Sequence, residues 1–575
     1  MRNVTGKVWA YLPVSLVCLH LLVGLACFVV GSAMLNDGHL VYTLDDAYIH
    51  MAFAKNLVTH GVFGVTRYAF TSATSSPLWT LLVALTDAIF GIHEATPFML
   101  AALAAVLCVF AADRLAARFG IGPWPRAGMG LAIVYLTPLC TLASTGLEHC
   151  LHTLWILLLL GLTIDLITAP PRAPRAVLLC GVACLAVATR YESLFLVFPL
   201  TLVLALYRRF RTAACTLAVA ALPVLLYGAV SIAHGNEFLP NSLLLKGNLA
   251  GIHSVASFFD FIGMHGVKCL LKEPHLLALT LALLLRAVVG RSPLGAALRW
   301  LQTATAMAIV AHLQWAQAGW FYRYEAYLVA AALFLLSVDL LSRRRADTLH
   351  RHGWAAAAQW VCAVGMGVLV LWPLQVRARQ AWWDMVPGSH DIFEQQYQMG
   401  RFFAGLPDHE AVAVNDLGAV SFFGDRPIVD LWGLGSIEVA RAKREGAYDT
   451  AAIAAVLARH DVKYICVYPN WFLGDLALPP HLIRVGTWRT PLDTSGGGHT
   501  VMFLAPDDAS AWRLAYALHD FAPRLPWTVY CRIFLPDNRT AGQVGASLSA
   551  QAPAATPDDP DDRDAAAANG GLTEP

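Results

Sequence analysis

Charge is scarce in this chain. Asp, Glu, Lys and Arg make up 14% of its 575 residues and hydrophobic residues 57%, where soluble domains carry roughly 25% charged residues. That excludes an ordinary soluble globule and indicates a polytopic membrane protein. An excess of one sign is lacking too. The net charge is +1 at pH 7, so there is no basic footprint for a nucleic acid. The 12 cysteines form no CxxC pair and show no Cys/His ligand spacing. Most lie inside apolar runs and read as small core residues. There is no internal repeat. Nor is there a short signal-peptide core of roughly 7–15 residues: the first apolar run, Trp9 to Leu35, is longer and reads as a retained first span.

What is present is a series of apolar runs. They fall near 9–33, 77–90, 97–115, 127–143, 149–168, 176–189, 193–206, 212–232, 275–289, 300–317, 324–341 and 354–374. A span needs roughly 20 apolar residues, and short cytoplasmic loops carry the Lys and Arg. Basic clusters fall at Arg2/Lys7, Arg114/Arg118/Arg126, Arg172/Arg175, Arg208/Arg209/Arg211, Arg291/Arg299 and Arg343/Arg344/Arg345/Arg351. Placing all of them on the cytoplasmic side works if Leu78 to Phe90 is not a full span but a re-entrant or interfacial helix. The expectation is an α-helical polytopic membrane protein of about 11 transmembrane helices, with its amino terminus cytoplasmic.

After Leu374 the pattern changes. "EAVAVNDLGAVSFFG" and "PIVDLWG" read as strands with turns at Asp416-Leu417-Gly418 and Gly424-Asp425. "TAAIAAVLARH" reads as an amphipathic helix and "DVKYICVYP" as a buried strand. The expected organisation is a membrane module over 1–374, an extracytoplasmic α/β domain over 375–540, and a disordered tail over 541–575 rich in Ala, Pro and Asp. The sequon Asn538-Arg539-Thr540 reads as a chance match.

This topology gathers the unusual polar stretches near one membrane face. Asp45, Asp46, His50, Lys55 and Arg67 fall in the first outer loop, and Glu148 of "STGLEHC" in the next. Arg190, Tyr191 and Glu192 of "ATRYES", then His234, Glu237, Asn241 and Lys246, then Arg323 and Glu325 of "GWFYRYEAY" follow in turn. Ionisable residues at span ends are costly and tend to mark substrate pathways. A carboxylate there can take a proton from an attacking hydroxyl. Arg and Lys can hold a phosphate and stabilise it as it leaves. The division fits a sugar donor linked through phosphate to a membrane lipid. Each residue also has a plainer reading. Asp45 or Asp46 could cap a helix, and Glu148 could begin one. Arg190 and Arg323 could be snorkelling anchors, and Asn241 turn chemistry after Pro240. Tyr191, Tyr322, Tyr324 and Trp320 read as interface-belt aromatics.

Taken together, "LDDAYIHMAFAKNLVTHGVFGV" and "TSATSSPLWTLLVAL" resemble the first outer loop of GT-C membrane glycosyltransferases. The nearest likeness is to the bacterial group that includes the mycobacterial terminal arabinofuranosyltransferase. "STGLEHCLHTLW", "TRYESLFLV", "LPNSLLLK", "RYEAYLV" and "VAVNDLGAVSFFGDRPIVDLWGL" are similar to later motifs of that group, in the same order. The resemblance implies a polyprenyl-phosphate sugar donor, a glycan or lipid acceptor on the outer face of the cytoplasmic membrane, and a first-loop carboxylate as general base. That role falls on Asp45 or Asp46, with Asp45 favoured. Glu148, Arg190, Glu192, Asn241, Lys246, Arg323 and His50 would bind substrate. Arg190, Lys246 and Arg323 among them would contact the lipid phosphate. A divalent cation (Mg, Mn or Ca) would sit on Asp45, Asp46 and Glu148 if one is used. "TRYES" and "YAFTSATSSPLW" depart from the group's more usual "TRPEG" and "VEGYTNPLW", so an arabinose donor is not implied. The competing readings are a lipid-linked sugar transporter, which would want ionisable residues near mid-membrane, and a non-catalytic envelope assembly protein.

Overall fold

The computed structural model describes residues 2–170, 172–246, 255–289, 295–342, 354–491 and 493–535. The tail, the sequon and the Arg343–Arg351 cluster lie outside them.

Helices dominate the first two thirds. They are α1 (Arg2–Leu35), α2 (Asp46–His60), α3 (Pro77–Phe90), α4 (Thr96–Ala117), α5 (Pro123–Leu136), α6 (Leu139–Ser144), α7 (His149–Thr168) and α8 (Ala173–Thr189). After a 3-10 turn at Tyr191–Ser193 come α9 (Leu194–Leu206), α10 (Phe210–Ala233), α11 (Asn241–Lys246), α12 (Val255–Lys272), α13 (Pro274–Val289), α14 (Ala296–Trp315), α15 (Ala326–Leu341) and α16 (Trp354–Ile392). Among the described residues, four helical stretches are long and apolar enough to cross a bilayer: Tyr11–Leu35, Thr96–Ala117, His149–Thr168 and Phe210–Ala233. α7 and α15 are apolar all round and buried along nearly their whole length, as central helices must be. α3 begins with Pro77, where a missing N–H costs nothing. At 14 residues, about 21 Å of helix, it is too short to cross a hydrocarbon core of roughly 30 Å.

Three aspartates near the far ends of helices whose starts lie by the first loop are neutralised by arginines. These are Asp113 with Arg126 at 2.7 Å, Asp165 with Arg118 at 2.8 Å, and Asp339 with Arg286.

The helical rod does not stop at Leu374. α16 runs on to Ile392, passes through a π-helical turn at Phe393–Tyr397, and continues as α17 (Gln398–Ala404). The sheet region starts only at β1 (Val412–Val414). It continues through α18 (Gly418–Phe423), β2 (Ile428–Asp430), α19 (Ile437–Arg444), α20 (Thr450–Arg459), β3 (Tyr464–Val467), β4 (Ile483–Arg489), β5 (Thr500–Ala505), α21 (Asp508–Phe521) and β6 (Tyr530–Ile533). The six strands form one sheet in the order β2-β1-β3-β5-β4-β6. β2, β1 and β3 are parallel and the rest antiparallel. Alternate residues serve opposite faces. Val412, Val414, Tyr464 and Cys466 pack under α17 and α21, while Ala413, Ile465 and Val467 pack under α20.

Strands Val412–Val414, Ile428–Asp430 and Tyr464–Val467 fall inside the segments expected to hold strands, and the expected amphipathic helix is present as Thr450–Arg459. "LGAVSFF" is not part of a strand but the short helix α18. Its conformation is decided by a tertiary contact from the first loop rather than by local pattern. α2 divides its side chains between two cores. Ala47, Tyr48, Met51 and Ala52 enter the core of the helical module, whereas Ile49 and Phe53 enter the core of the sheet region. Val65 and Ala73 of the same loop follow them.

Candidate active site

The two adjacent aspartates diverge. Asp46 opens α2 and lines a cavity of about 280 Å³. Asp45 does not line it. The Asp45 carboxylate turns to α18 instead and accepts the backbone N–H of Gly418 at 2.6 Å and of Ala419 at 2.8 Å. It makes no helix-capping bond of its own. A side chain at residue 418 could not coexist with this approach: a Cβ there would lie 2.2 Å from the Asp45 carbonyl oxygen and 2.5 Å from its carboxylate. Burial and the neighbouring Asp416 carboxyl push the Asp45 acid well above the ordinary carboxylate range. Ten residues on, Lys55 Nζ donates to the carbonyls of Phe422 at 2.5 Å and Gly424 at 3.5 Å. α2 thus sets a carboxylate at the amino end of α18 and an ammonium at its carboxyl end, both complementary to the helix dipole.

Around the cavity the polar groups form two ion-paired sets. Asp46 Oδ2 accepts from Arg323 Nη2 at 2.9 Å. Arg190 serves two carboxylates: Nη1 donates to Glu148 Oε1 at 2.8 Å, and Nε and Nη2 grip Glu192, the former at 3.1 Å. The aromatic ring of Tyr324 lies 5.0 Å from the Arg323 guanidinium and 5.7 Å from that of Arg190, within cation–π range of both. His50 stands one turn after Asp46 on the same face of α2. Its Nδ1 lies 2.8 Å from Thr80 Oγ1, itself 3.0 Å from Thr74 Oγ1. Desolvation holds the imidazole below its ordinary pKa, against the pull of Glu148 and Asp46.

Backbone geometry explains how these groups reach one place. Gly146, with φ +66°, makes the turn that delivers Glu148, and a Cβ there would meet the Tyr42 ring at 2.4 Å. Trp79 of the "PLW" helix donates its indole N–H to the Gly146 carbonyl at 3.2 Å. Arg323 and Tyr324 are delivered by a left-handed turn in which Gly319, Trp320, Phe321 and Tyr322 all have positive φ. For the three non-glycine residues this costs about 1 kcal/mol or more each. Glu325 holds the turn closed. One of its oxygens accepts the Gly319 N–H at 2.8 Å, and the other accepts Arg377 Nε at 3.0 Å, while Arg377 Nη2 also reaches the Tyr322 carbonyl at 2.6 Å.

Four residues on the cavity wall carry buried polar atoms with no hydrogen-bond partner among the described residues: Tyr191 OH, Glu148 Oε2, Arg323 Nε and Ser242 Oγ. Native proteins leave few such atoms, and here they converge on one space. The remaining wall is mostly apolar, with Phe195, Val224, Leu243 and Trp315 from the helices, Leu239 from the loop before α11 and Leu434 from the sheet region, beside Thr74, Ser75 and Gln317.

The structure therefore brings Asp46, His50, Glu148, Arg190, Glu192 and Arg323 together and leaves Asp45 and Asn241 off the cavity wall. Asn241 lies beside it, its amide donating to the Leu434 carbonyl at 3.1 Å. Lys246 ends α11, and its side chain lies outside the described residues. Asp45, Asp46 and Glu148 do not form a cation site. Asp45 faces α18, while Asp46 and Glu148 each carry an arginine, and no group of three metal-ligating side chains is gathered among the described residues. Tyr191 and Tyr324, read as belt aromatics, line the cavity instead. Tyr322 donates to Asp384 at 2.6 Å, and Trp320 is exposed. Ser242, Thr74, Thr80 and Leu434 were not singled out in the sequence. Only the placement of "TSATSSPLW" and "LPNSLLLK" beside the acidic loop points to the first three.

A family described as a domain of unknown function, DUF8728, matches residues 390–511, from the end of α16 to the start of α21. No curated protein matches the sequence. Among solved structures, the chain is similar to ArnT from Cupriavidus metallidurans bound to undecaprenyl phosphate, at 14% identity, with 85% of this chain and 98% of that one covered and a TM-score of 0.49. It is similar to the oligosaccharyltransferase AglB from Archaeoglobus fulgidus in complex with an inhibitory peptide and a dolichol-phosphate, at 12% identity, with 87% and 78% covered and a TM-score of 0.44. It is also similar to the arabinofuranosyltransferase AftD from Mycobacteria, at 14% identity, with 84% of this chain and 41% of that one covered and a TM-score of 0.44.

Proposed function

We propose that this protein is a GT-C-type membrane glycosyltransferase that moves a sugar from a polyprenyl-phosphate donor to a glycan or lipid acceptor. The observation that carries the reading is the convergence of unpartnered buried polar atoms, three carboxylates and two arginines on one cavity whose other walls are mostly apolar. Such a space suits a ligand that is part lipid, part phosphate and part sugar.

Asp46, not Asp45, is the general base in this reading. It takes the proton of the acceptor hydroxyl as that oxygen attacks the anomeric carbon of the donor sugar. The bond from that carbon to the phosphate oxygen breaks, and polyprenyl phosphate leaves with the electron pair. Arg323, with its Nε still open, is placed to bind the phosphate and its developing charge. Arg323 also pairs with Asp46. Phosphate binding competes for that guanidinium and frees the carboxylate for its role as base. Glu192 and Glu148 hold Arg190 rigid across the cavity. We further infer that the membrane module has about 11 spans, that the amino terminus is cytoplasmic, and that cavity and sheet region face outward. That puts the reaction on the outer face of the cytoplasmic membrane.

The test is release of polyprenyl phosphate by the purified protein in nanodiscs, from a panel of radiolabelled polyprenyl-phosphate sugars with envelope extract as acceptor. Release from at least one donor, abolished in Asp46→Asn, is expected. Consumption of no donor by folded protein would overturn the enzymatic reading in favour of transport or assembly.

A further inference from the structure

Glu148 and His50 present an unfilled gap. Glu148 is 1% exposed; Arg190 fixes Oε1, and Oε2 has no hydrogen-bond partner among the described residues. His50 Nε2 stands 3.9 Å from Oε2. That is too long for a hydrogen bond between them, yet an oxygen atom set to one side of the line joining them can lie about 2.8 Å from both. Neither side chain is free to close the gap. Arg190 anchors the carboxylate, and the Thr80–Thr74 hydroxyl pair anchors the imidazole through Nδ1. Both residues line the cavity.

The two facing atoms are chemically unlike. The carboxylate oxygen only accepts. The imidazole, kept neutral by burial, carries one N–H, and the tautomer that points it at the carboxylate is electrostatically favoured. A group that must donate on one side and accept on the other fills the gap, which is what a hydroxyl does.

We propose that Glu148 and His50 form a subsite for one hydroxyl of the donor sugar and so determine which sugars the protein accepts. This rests on the glycosyltransferase reading above and adds to it a specificity-determining pair. The sugar's hydroxyl donates a hydrogen bond to Glu148 Oε2 and accepts one from the N–H of His50 Nε2. A sugar that lacks the hydroxyl leaves both buried atoms unpaired, which is how sites of this kind discriminate. Neither residue takes part in the proton transfer assigned to Asp46; Glu148→Gln also loosens Arg190 and so lowers overall transfer, and the readout is therefore the ratio among sugars within each protein.

The experiment compares decaprenyl-phosphate arabinofuranose, undecaprenyl-phosphate mannose and undecaprenyl-phosphate glucose with their monodeoxy analogues. Transfer and direct binding, the latter by native mass spectrometry, are both measured on the full chain in nanodiscs. For the accepted sugar, the wild-type protein is expected to disfavour one monodeoxy analogue by roughly 100-fold. In His50→Ala and in Glu148→Gln that ratio falls to within roughly threefold, while both variants still bind polyprenyl phosphate, which shows they are folded. Transfer with no monodeoxy preference in the wild type, or a preference that survives in both variants, would overturn the subsite and leave the enzyme reading standing. Binding with the preference but no transfer would do the reverse. Neither transfer nor binding would remove both.

Discussion

Replacing each aspartate of the Asp45-Asp46 pair should break a different property of the protein. In Asp45→Ala the amides of Gly418 and Ala419 lose the carboxylate they meet at 2.6 and 2.8 Å. A buried N–H left without an acceptor costs about 1–3 kcal/mol, so two cost about 2–6. Part of this is offset because a carboxylate already penalised by burial is removed. The remainder, taken as about 3 kcal/mol, raises local opening of α18 by roughly 100-fold at 1.4 kcal/mol per decade. Hydrogen exchange over residues 412–423, read by mass spectrometry in nanodiscs, measures this directly. In Asp46→Asn the same peptide should exchange as in the wild type, while sugar transfer falls by roughly 10²–10⁴-fold, the range for a lost general base. Unchanged exchange in Asp45→Ala together with transfer as low as in Asp46→Asn would refute this division and return the base to Asp45.

Other outcomes follow from the same geometry. Glu325→Gln removes the charge that holds Arg377 and weakens the clasp on the left-handed turn at 319–322, leaving an uncompensated buried arginine at a cost of about 3–5 kcal/mol. Donor KM should rise by roughly tenfold or more as Arg323 loses its placement, with acceptor KM little changed. In the sheet region, Lys443 lies 3.4 Å from the Trp432 ring centroid, and burial lowers its pKa to about 8 against the pull of Asp430. Between pH 8 and roughly 10.5 the unfolded chain binds the proton that the folded one has released. The linkage slope is therefore positive there, and resistance of this region to thermal proteolysis should rise with pH across that window. Lys443→Met should flatten the rise.

Much of the fold is written in local pattern. The apolar runs at 97–115, 149–168 and 212–232 became α4, α7 and α10 within a few residues, because a helix near 20 apolar residues long needs no distant partner to declare itself. The strands at 412–414 and 464–467 were legible for the same reason. α18 was not, since what settles "GAVSFF" is a carboxylate 373 positions away. The site divides likewise. Asp46, His50, Glu148, Arg190, Glu192 and Arg323 stood out as ionisable residues at span ends. Which of two adjacent aspartates faces the cavity depends on the phase at which α2 begins, and sequence does not set that phase to within one residue. Tyr324 looked like a belt aromatic because nothing local shows that its ring lies between two guanidinium groups.

The way α2 is shared bears on how this architecture can change. A domain exchanged between proteins usually meets its host across a thin, polar seam. Here the seam runs through a single helix whose opposite faces fill two cores and whose Asp45 and Lys55 hold α18. A second clamp lies nearby, where Asp391 receives the amides of Thr494, Ser495 and Gly496. Grafting the sheet region of a relative onto this helical module would strip Ile49 and Phe53 of their packing beside Asp46. Graft and first loop would have to come from the same parent, so the loop and the sheet region form one unit of inheritance although more than 300 residues separate them.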